Sequence, residues 1–112
     1  MHQNLHAWQL SMDLAVEIYR LTERFPSGEL YGLKAQMRRA AVSVPSNIAE
    51  GAGRASKAEF KRFIAIACGS LSELETQLLL SQRLNFLRDI DEPLKTIRSI
   101  FNLLSGLRNS LN

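Results

Sequence analysis

The strongest constraint on how this chain can fold is a run of apolar positions, Phe60, Ile64, Ala67, Leu71, Leu74 and Leu78. They step by four, three, four, three and four residues. That heptad spacing keeps one stripe of an α-helix facing near-parallel neighbours. The run opens at Ser56 and Glu59, which match a capping box, where each side chain satisfies a free backbone N–H at the helix entrance. It fades between Arg83 and Asn85, and asparagine suits a helix stop.

Three more segments repeat apolar residues with helical spacing. The first spans about His6 to Phe25, with Leu14, Ile18, Leu21 and Phe25 on one face and Trp8, Met12, Ala15 and Tyr19 in a second stripe beside it. Proline and glycine in Phe25-Pro26-Ser27-Gly28 end that pattern. The second spans about Glu29 to Gly53, with Leu30, Leu33, Met37, Ala40, Val44 and Ile48 inward. Pro45 inside it removes a backbone hydrogen bond, and we read it as a kink. The last opens at Asp91-Glu92-Pro93, with Asp91 as the cap and proline in the first turn. Its inner positions are Leu94, Ile97, Phe101, Leu104 and Leu111, with Ile100, Leu103 and Leu107 beside them.

No segment alternates in the manner of a strand. Short connections favour antiparallel neighbours. The expected fold is all-α, an up-and-down antiparallel four-helix bundle, as a single domain over residues 1–112. Charged residues make up 22% of the chain and apolar ones 46%, which is globular composition. A chain of 112 residues can bury a core without disulfides, and the lone Cys68 gives no internal bridge. No apolar run approaches the roughly 18 residues of a membrane span, and the first ten residues do not read as a signal peptide. The expected compartment is the cytoplasm, with no membrane partner.

Catalytic chemistry finds little support. His2 and His6 stand four apart without further ligands nearby, so they read as exposed histidines and no metal is assigned. Cys68, between Ala67 and Gly69, has no activating group in its pattern and reads as packing. Glu50-Gly51-Ala52-Gly53 lacks the full pattern of a phosphate loop. Glu73 and Glu75 do not share a helix face. The chain therefore reads as non-enzymatic, with no catalytic residue and no cofactor.

Asn47, Glu50 and Arg54 share a flank of the second segment. Asn47 and Glu50 read as a structural polar network that sets helix register.

Surface features carry more. Ile66 and Leu80 lie four helical turns apart, off the Phe60–Leu78 seam, with Gly69 and Thr76 near the same line. Together with Trp8, Met12 and Tyr19 they mark either an oligomer interface or a bundle packed more widely than one face per helix. Seven cations, Lys34, Arg38, Arg39, Arg54, Lys57, Lys61 and Arg62, give the segment from Lys34 to Arg62 a charge of +5, against −2 elsewhere. Such a concentration points to an anionic partner, and these residues are the candidate nucleic-acid contacts. If the Lys34/Arg38 and Lys57/Lys61 flanks adjoin, four cations meet on one surface.

Two stretches, Arg39-Ala40-Ala41-Val42-Ser43-Val44-Pro45-Ser46-Asn47-Ile48-Ala49-Glu50-Gly51 and Phe63 through Leu78, resemble the bacterial four-helix bundle family named for intervening sequences in 23S ribosomal RNA genes. Trp8 near the start and Phe25-Pro26 at the first turn fit that resemblance. It implies a small up-and-down bundle assembled as a homopentamer. The family is similar to the accessory variability determinant of diversity-generating retroelements, a basic pentamer that partners a reverse transcriptase and contacts nucleic acid. The resemblance thus implies RNA, DNA or such an enzyme as the partner, and it brings no catalytic residues. The competing expectation is a structural or protein-interaction scaffold with no nucleic-acid role.

Overall fold

The computed structural model describes residues 2–112. After a 3-10 turn at His2–Asn4, four helices follow: α1 (His6–Thr22), α2 (Leu33–Ala52), α3 (Lys57–Arg83) and α4 (Asp91–Ser110). Among the described residues there is no strand.

Long-range contacts set the topology. Arg38, early in α2, reaches Tyr19 and Thr22, late in α1. Ser81, late in α3, meets Met37 at the start of α2, and Lys61, early in α3, meets Asn112 beyond α4. Each neighbouring pair thus runs antiparallel, the up-and-down arrangement. The bundle measures 43 × 24 × 19 Å.

The inner stripes meet along its axis. Leu14 and Ile18 of α1, Met37, Val44 and Ile48 of α2, Ile64, Leu71, Leu74 and Leu78 of α3, and Ile97, Ile100 and Leu104 of α4 are all buried. By length and composition alone α3 is apolar enough to cross a membrane. In the fold, however, its heptad face is buried against the other helices, the position of a bundle-core helix.

The helix ends depart from the pattern in several places. α1 stops at Thr22 and not at Phe25. Phe25 stays buried by leaving the helix and setting its ring 5.3 Å from that of Phe86. α2 starts at Leu33 and not at Glu29, because Ser27–Glu29 forms a 3-10 turn of its own. The Glu29 carboxylate then accepts from the Leu33 N–H at 2.9 Å, supplying the cap. Leu30, expected inward, is consequently 49% exposed. α2 runs unbroken through Pro45.

At α3 only half the capping box forms. Ser56 Oγ accepts from the Glu59 N–H at 3.1 Å, while the Glu59 carboxylate accepts from Arg62 Nε at 2.9 Å. The far end is a Schellman motif, with Phe86 N–H donating to Ser81 O and Asn85 N–H to Gln82 O. Asn85 takes the left-handed φ of 65° that asparagine tolerates better than most residues. At α4 the N-cap position is Ile90, and the carboxylate that serves the first turn is that of Asp89 and not Asp91. Asp91 is already helical, and its N–H donates to Asp89 Oδ1 at 3.0 Å.

Candidate functional site

The residues with interaction potential fall into three groups: an apolar groove, an apolar line on α3, and cations at the two ends.

Between α1 and α2 runs an open groove of about 560 Å³ lined by Trp8, Met12, Ala15, Val16, Tyr19, Val42, Pro45 and Ala49 among others. Met12, Val16, Tyr19 and Val42 are 42%, 48%, 43% and 42% exposed. The second stripe of α1 is therefore absorbed only in part: Trp8 and Ala15 pack against the edge of the core, and Met12 and Tyr19 stay open. The sequence pattern marked Trp8, Met12 and Tyr19 but missed the α2 wall, because Val42 and Ala49 lie off the inner stripe and look like isolated small residues. His2 edges its ring against Trp8, with centroids 5.2 Å apart, whereas His6 is exposed on α1. The two histidines thus have different surroundings.

On α3, Ile66 and Leu80 are 40% and 45% exposed, on the side away from α4. Leu84 continues the line just past the helix end, also exposed. Beside it the helices α2 and α3 are joined by a polar seam. Ser43 Oγ and Ser70 Oγ lie 2.8 Å apart, and Asn47 Nδ2 donates to Ser43 O and Oγ at 2.7 and 2.9 Å. Asn47 thus sits in an inter-helix network. Glu50 is exposed, and among the described residues its ion pair is with Arg54, at 3.6 Å, one turn along. The pattern had coupled Asn47 to Glu50; the serines that complete the network carried no distinguishing signal in sequence.

The seven cations do not share one surface. Arg54, Lys57, Lys61 and Arg62 cluster where α2 passes into α3. The guanidiniums of Arg54 and Arg62 lie 5.1 and 4.5 Å over the Phe63 ring, and each also holds a glutamate, Glu50 and Glu59. Lys57 is exposed, and Lys61 Nζ donates to Asn112 Oδ1. Hydrogen bonding and attraction from Arg62 hold the Glu59 carboxyl below its ordinary range.

Lys34, Arg38 and Arg39 lie at the other end. Met37 of α2 stands beside Ser81, twenty residues along α3 from Lys61, which is about 30 Å of helix. The two flanks therefore do not adjoin, because the antiparallel hairpin carries them to opposite poles. Arg38 is further withdrawn. Its Nε donates to Thr22 Oγ1 at 2.9 Å and its Nη2 to Tyr19 O at 3.0 Å, with Glu23 3.2 Å away.

Burial pushes the Cys68 thiol up, only partly offset by Arg108, which disfavours the thiolate a nucleophile needs. Gln77 Oε1 is buried without a hydrogen-bond partner among the described residues.

The four-helix topology and the distinctive α2 and α3 stretches agree with a comparison against known families. The sequence model of the 23S rRNA-intervening sequence protein matches residues 3–106. The chain belongs to the 23S rRNA-intervening sequence protein family. The match spans all four helices nearly to the end of α4, so this family's domain is the bundle itself. No curated protein matches the chain.

Proposed function

We propose that this member of the 23S rRNA-intervening sequence protein family is a non-enzymatic bundle that self-associates and acts by binding. The observation that carries the reading is the apolar groove between α1 and α2. Four of its large side chains stay 42–48% exposed in the isolated chain, and a contiguous apolar surface of this kind marks an interaction site. The second apolar line, at Ile66 and Leu80, gives each copy two such surfaces. The family resemblance adds a homopentamer as the assembly. Size exclusion coupled to light scattering tests it: the expected mass is several times the 12.6 kDa of the chain. A monomer at tens of micromolar would refute it.

The finer reading is an anionic partner, RNA or DNA or a nucleic-acid enzyme such as a reverse transcriptase, in the cytoplasm. Its support is the cluster Arg54, Lys57, Lys61 and Arg62 at one pole, which an oligomer would repeat around its axis. Opposing support for a scaffold without nucleic acid comes from Arg38, which is engaged inside the fold, and from the glutamates on Arg54 and Arg62. A binding titration over several salt concentrations separates the two, since phosphate contacts make affinity fall steeply with salt.

A further inference from the structure

At the pole where α1 ends, an open pocket of about 580 Å³ lies between the last turn of that helix and the loop that joins α3 to α4. That volume falls in the range of small-molecule sites. Its floor is apolar, made of Leu21 from α1 and of Phe86 and Leu87 from the loop, all half-buried. The C-terminal turn of α3 fixes this floor. The N–H groups of Phe86 and Leu87 both donate to Ser81 O, at 2.9 and 3.3 Å, and Gln82 Nε2 donates to Arg88 O at 2.9 Å. Phe86 rests in turn on the buried Phe25 ring. The floor is thus in place before any ligand arrives, which lowers the cost of binding.

The rim is cationic. Arg20 and Arg24 line the pocket, and both are exposed. Among the described residues neither takes part in an ion pair or lies over an aromatic ring. The acid in the lining, Glu23, is held by Arg38 at 3.2 Å. Cations at this place suit the negative end of the α1 dipole. That role does not account for the apolar, aromatic floor beside them. Like charges four residues apart on a helix repel, and an anion set between them removes the repulsion. Two guanidiniums also offer the planar fork that matches phosphate oxygens.

We infer that this pocket binds a nucleoside phosphate, with the phosphate on Arg20 and Arg24 and the base against Phe86 and Leu87. The open side favours a flat ring over an alkyl chain. A chain on this floor would leave one side in water, whereas a base buries one face against apolar side chains and keeps its polar edge wet. The ligand is a free nucleotide or the phosphorylated end of a single strand, since both present one base beside one terminal phosphate. Neither arginine belongs to the basic stretch from Lys34 to Arg62. The site therefore depends neither on self-association nor on the cations of the α2–α3 pole.

Calorimetric titration of the full chain with AMP at low salt is the test. AMP is expected to bind, with adenosine and inorganic phosphate each at least roughly tenfold weaker, because each lacks one half of the contact. Arg20→Gln with Arg24→Gln, both at exposed positions, should weaken AMP at least roughly tenfold while circular dichroism shows the helices unchanged. Phe86→Leu should weaken AMP and leave inorganic phosphate as it was. If that variant does not fold, the comparison of AMP with inorganic phosphate decides the role of the floor. A short single-stranded RNA with a 5′-phosphate, beside the same strand with a 5′-hydroxyl, distinguishes the two sources. A phosphorylated strand that binds more tightly than AMP, and loses this with the hydroxyl, assigns a strand end. AMP binding at least as tightly as the strand assigns the free nucleotide. The inference is overturned if neither AMP nor the phosphorylated strand binds at millimolar concentration, or if inorganic phosphate binds as tightly as AMP. Binding that the arginine variant leaves unchanged overturns it as well.

Discussion

The guanidinium of Arg38 lies 4.4 Å over the ring of Tyr19 and donates a hydrogen bond of 3.0 Å to that residue's own backbone carbonyl. The last carbonyls of a helix lack partners within the helix. Arg38 therefore closes the C-terminal turn of α1 from the neighbouring helix, and its Nε secures the buried Thr22 hydroxyl as well. A cation that looks like a phosphate contact in sequence is a clamp between helices in the fold.

Arg38→Ala should accordingly destabilise the chain by roughly 1–3 kcal/mol, the range for leaving buried polar groups without a partner. Arg38→Lys should recover only part of this, since an ammonium cannot stack on the ring and fork to two acceptors. Urea unfolding followed by circular dichroism measures both. Unchanged stability in Arg38→Ala would remove the clamp.

Gly51 and Gly106 should respond oppositely to alanine. A Cβ at Gly51 would stand 2.7 Å from the Phe63 Cβ and 3.0 Å from a Phe60 ring carbon, so α2 and α3 must move apart. Overpacking of this kind costs roughly 1–3 kcal/mol, which outweighs the gain in helix propensity of about 1 kcal/mol. At Gly106, within α4, nothing lies within 4 Å of the added atom. Gly106→Ala should therefore raise stability by up to about 1 kcal/mol. Thermal unfolding of the two variants beside the wild type reads the contrast directly.

Glu17 supplies a pH signature. Burial, then repulsion from Glu92, raises its carboxyl above the ordinary range, with Arg20 acting the other way. A group whose folded pKa is raised adds stability only below its unfolded pKa and loses that contribution as pH rises through the folded value. Glu17→Gln should therefore be slightly more stable than wild type at neutral pH. The advantage should vanish below about pH 4, where the carboxyl is protonated in both states. Parallel unfolding curves across that window test the sign, and an advantage that persisted at low pH would exclude this cause.

The two poles of cations give different outcomes for nucleic-acid binding. Lys57→Glu with Lys61→Glu changes the α2–α3 pole, whereas Lys34→Glu with Arg39→Glu changes the opposite one. If the cations at the α2–α3 pole make the contact, the first pair should abolish binding to a single-stranded RNA or duplex DNA probe at low salt. The second should reduce it less. Wild-type affinity should fall by orders of magnitude between roughly 50 and 200 mM salt if about six or more phosphates are engaged. No wild-type binding at low salt would favour the scaffold reading.

Much of the fold was legible before any coordinates. The heptad stripe of α3 is buried as its spacing demands, and Ser56 and Asn85 mark its ends. Local signals were less reliable where two residues could do the same job. Asp89 accepts the first N–H of α4, which the pattern gave to Asp91, and Glu29 accepts the first N–H of α2 from the turn before it. A short carboxylate can satisfy a backbone N–H from more than one position, so composition near a helix start does not single out the cap. The polar seam of Asn47, Ser43 and Ser70 was half visible: the asparagine is conspicuous on an apolar flank, but it bonds Ser43 on its own helix, and the α3 serine that completes the seam through Ser43 lies 27 residues from it.

By itself the sequence determined that the chain forms four amphipathic helices around a common apolar core, since helical periodicity is a local property that needs no knowledge of neighbours. It also exposed the surplus apolar residues Trp8, Met12, Tyr19, Ile66 and Leu80. Only the tertiary structure decided how charges and surfaces group. Seven cations within 29 residues of sequence are carried to two poles about 30 Å apart, because an antiparallel hairpin places residues equidistant from its turn side by side and sends its ends away from the turn. The same hairpin geometry sets Val42 and Ala49 beside the second stripe of α1 and turns that stripe into a groove.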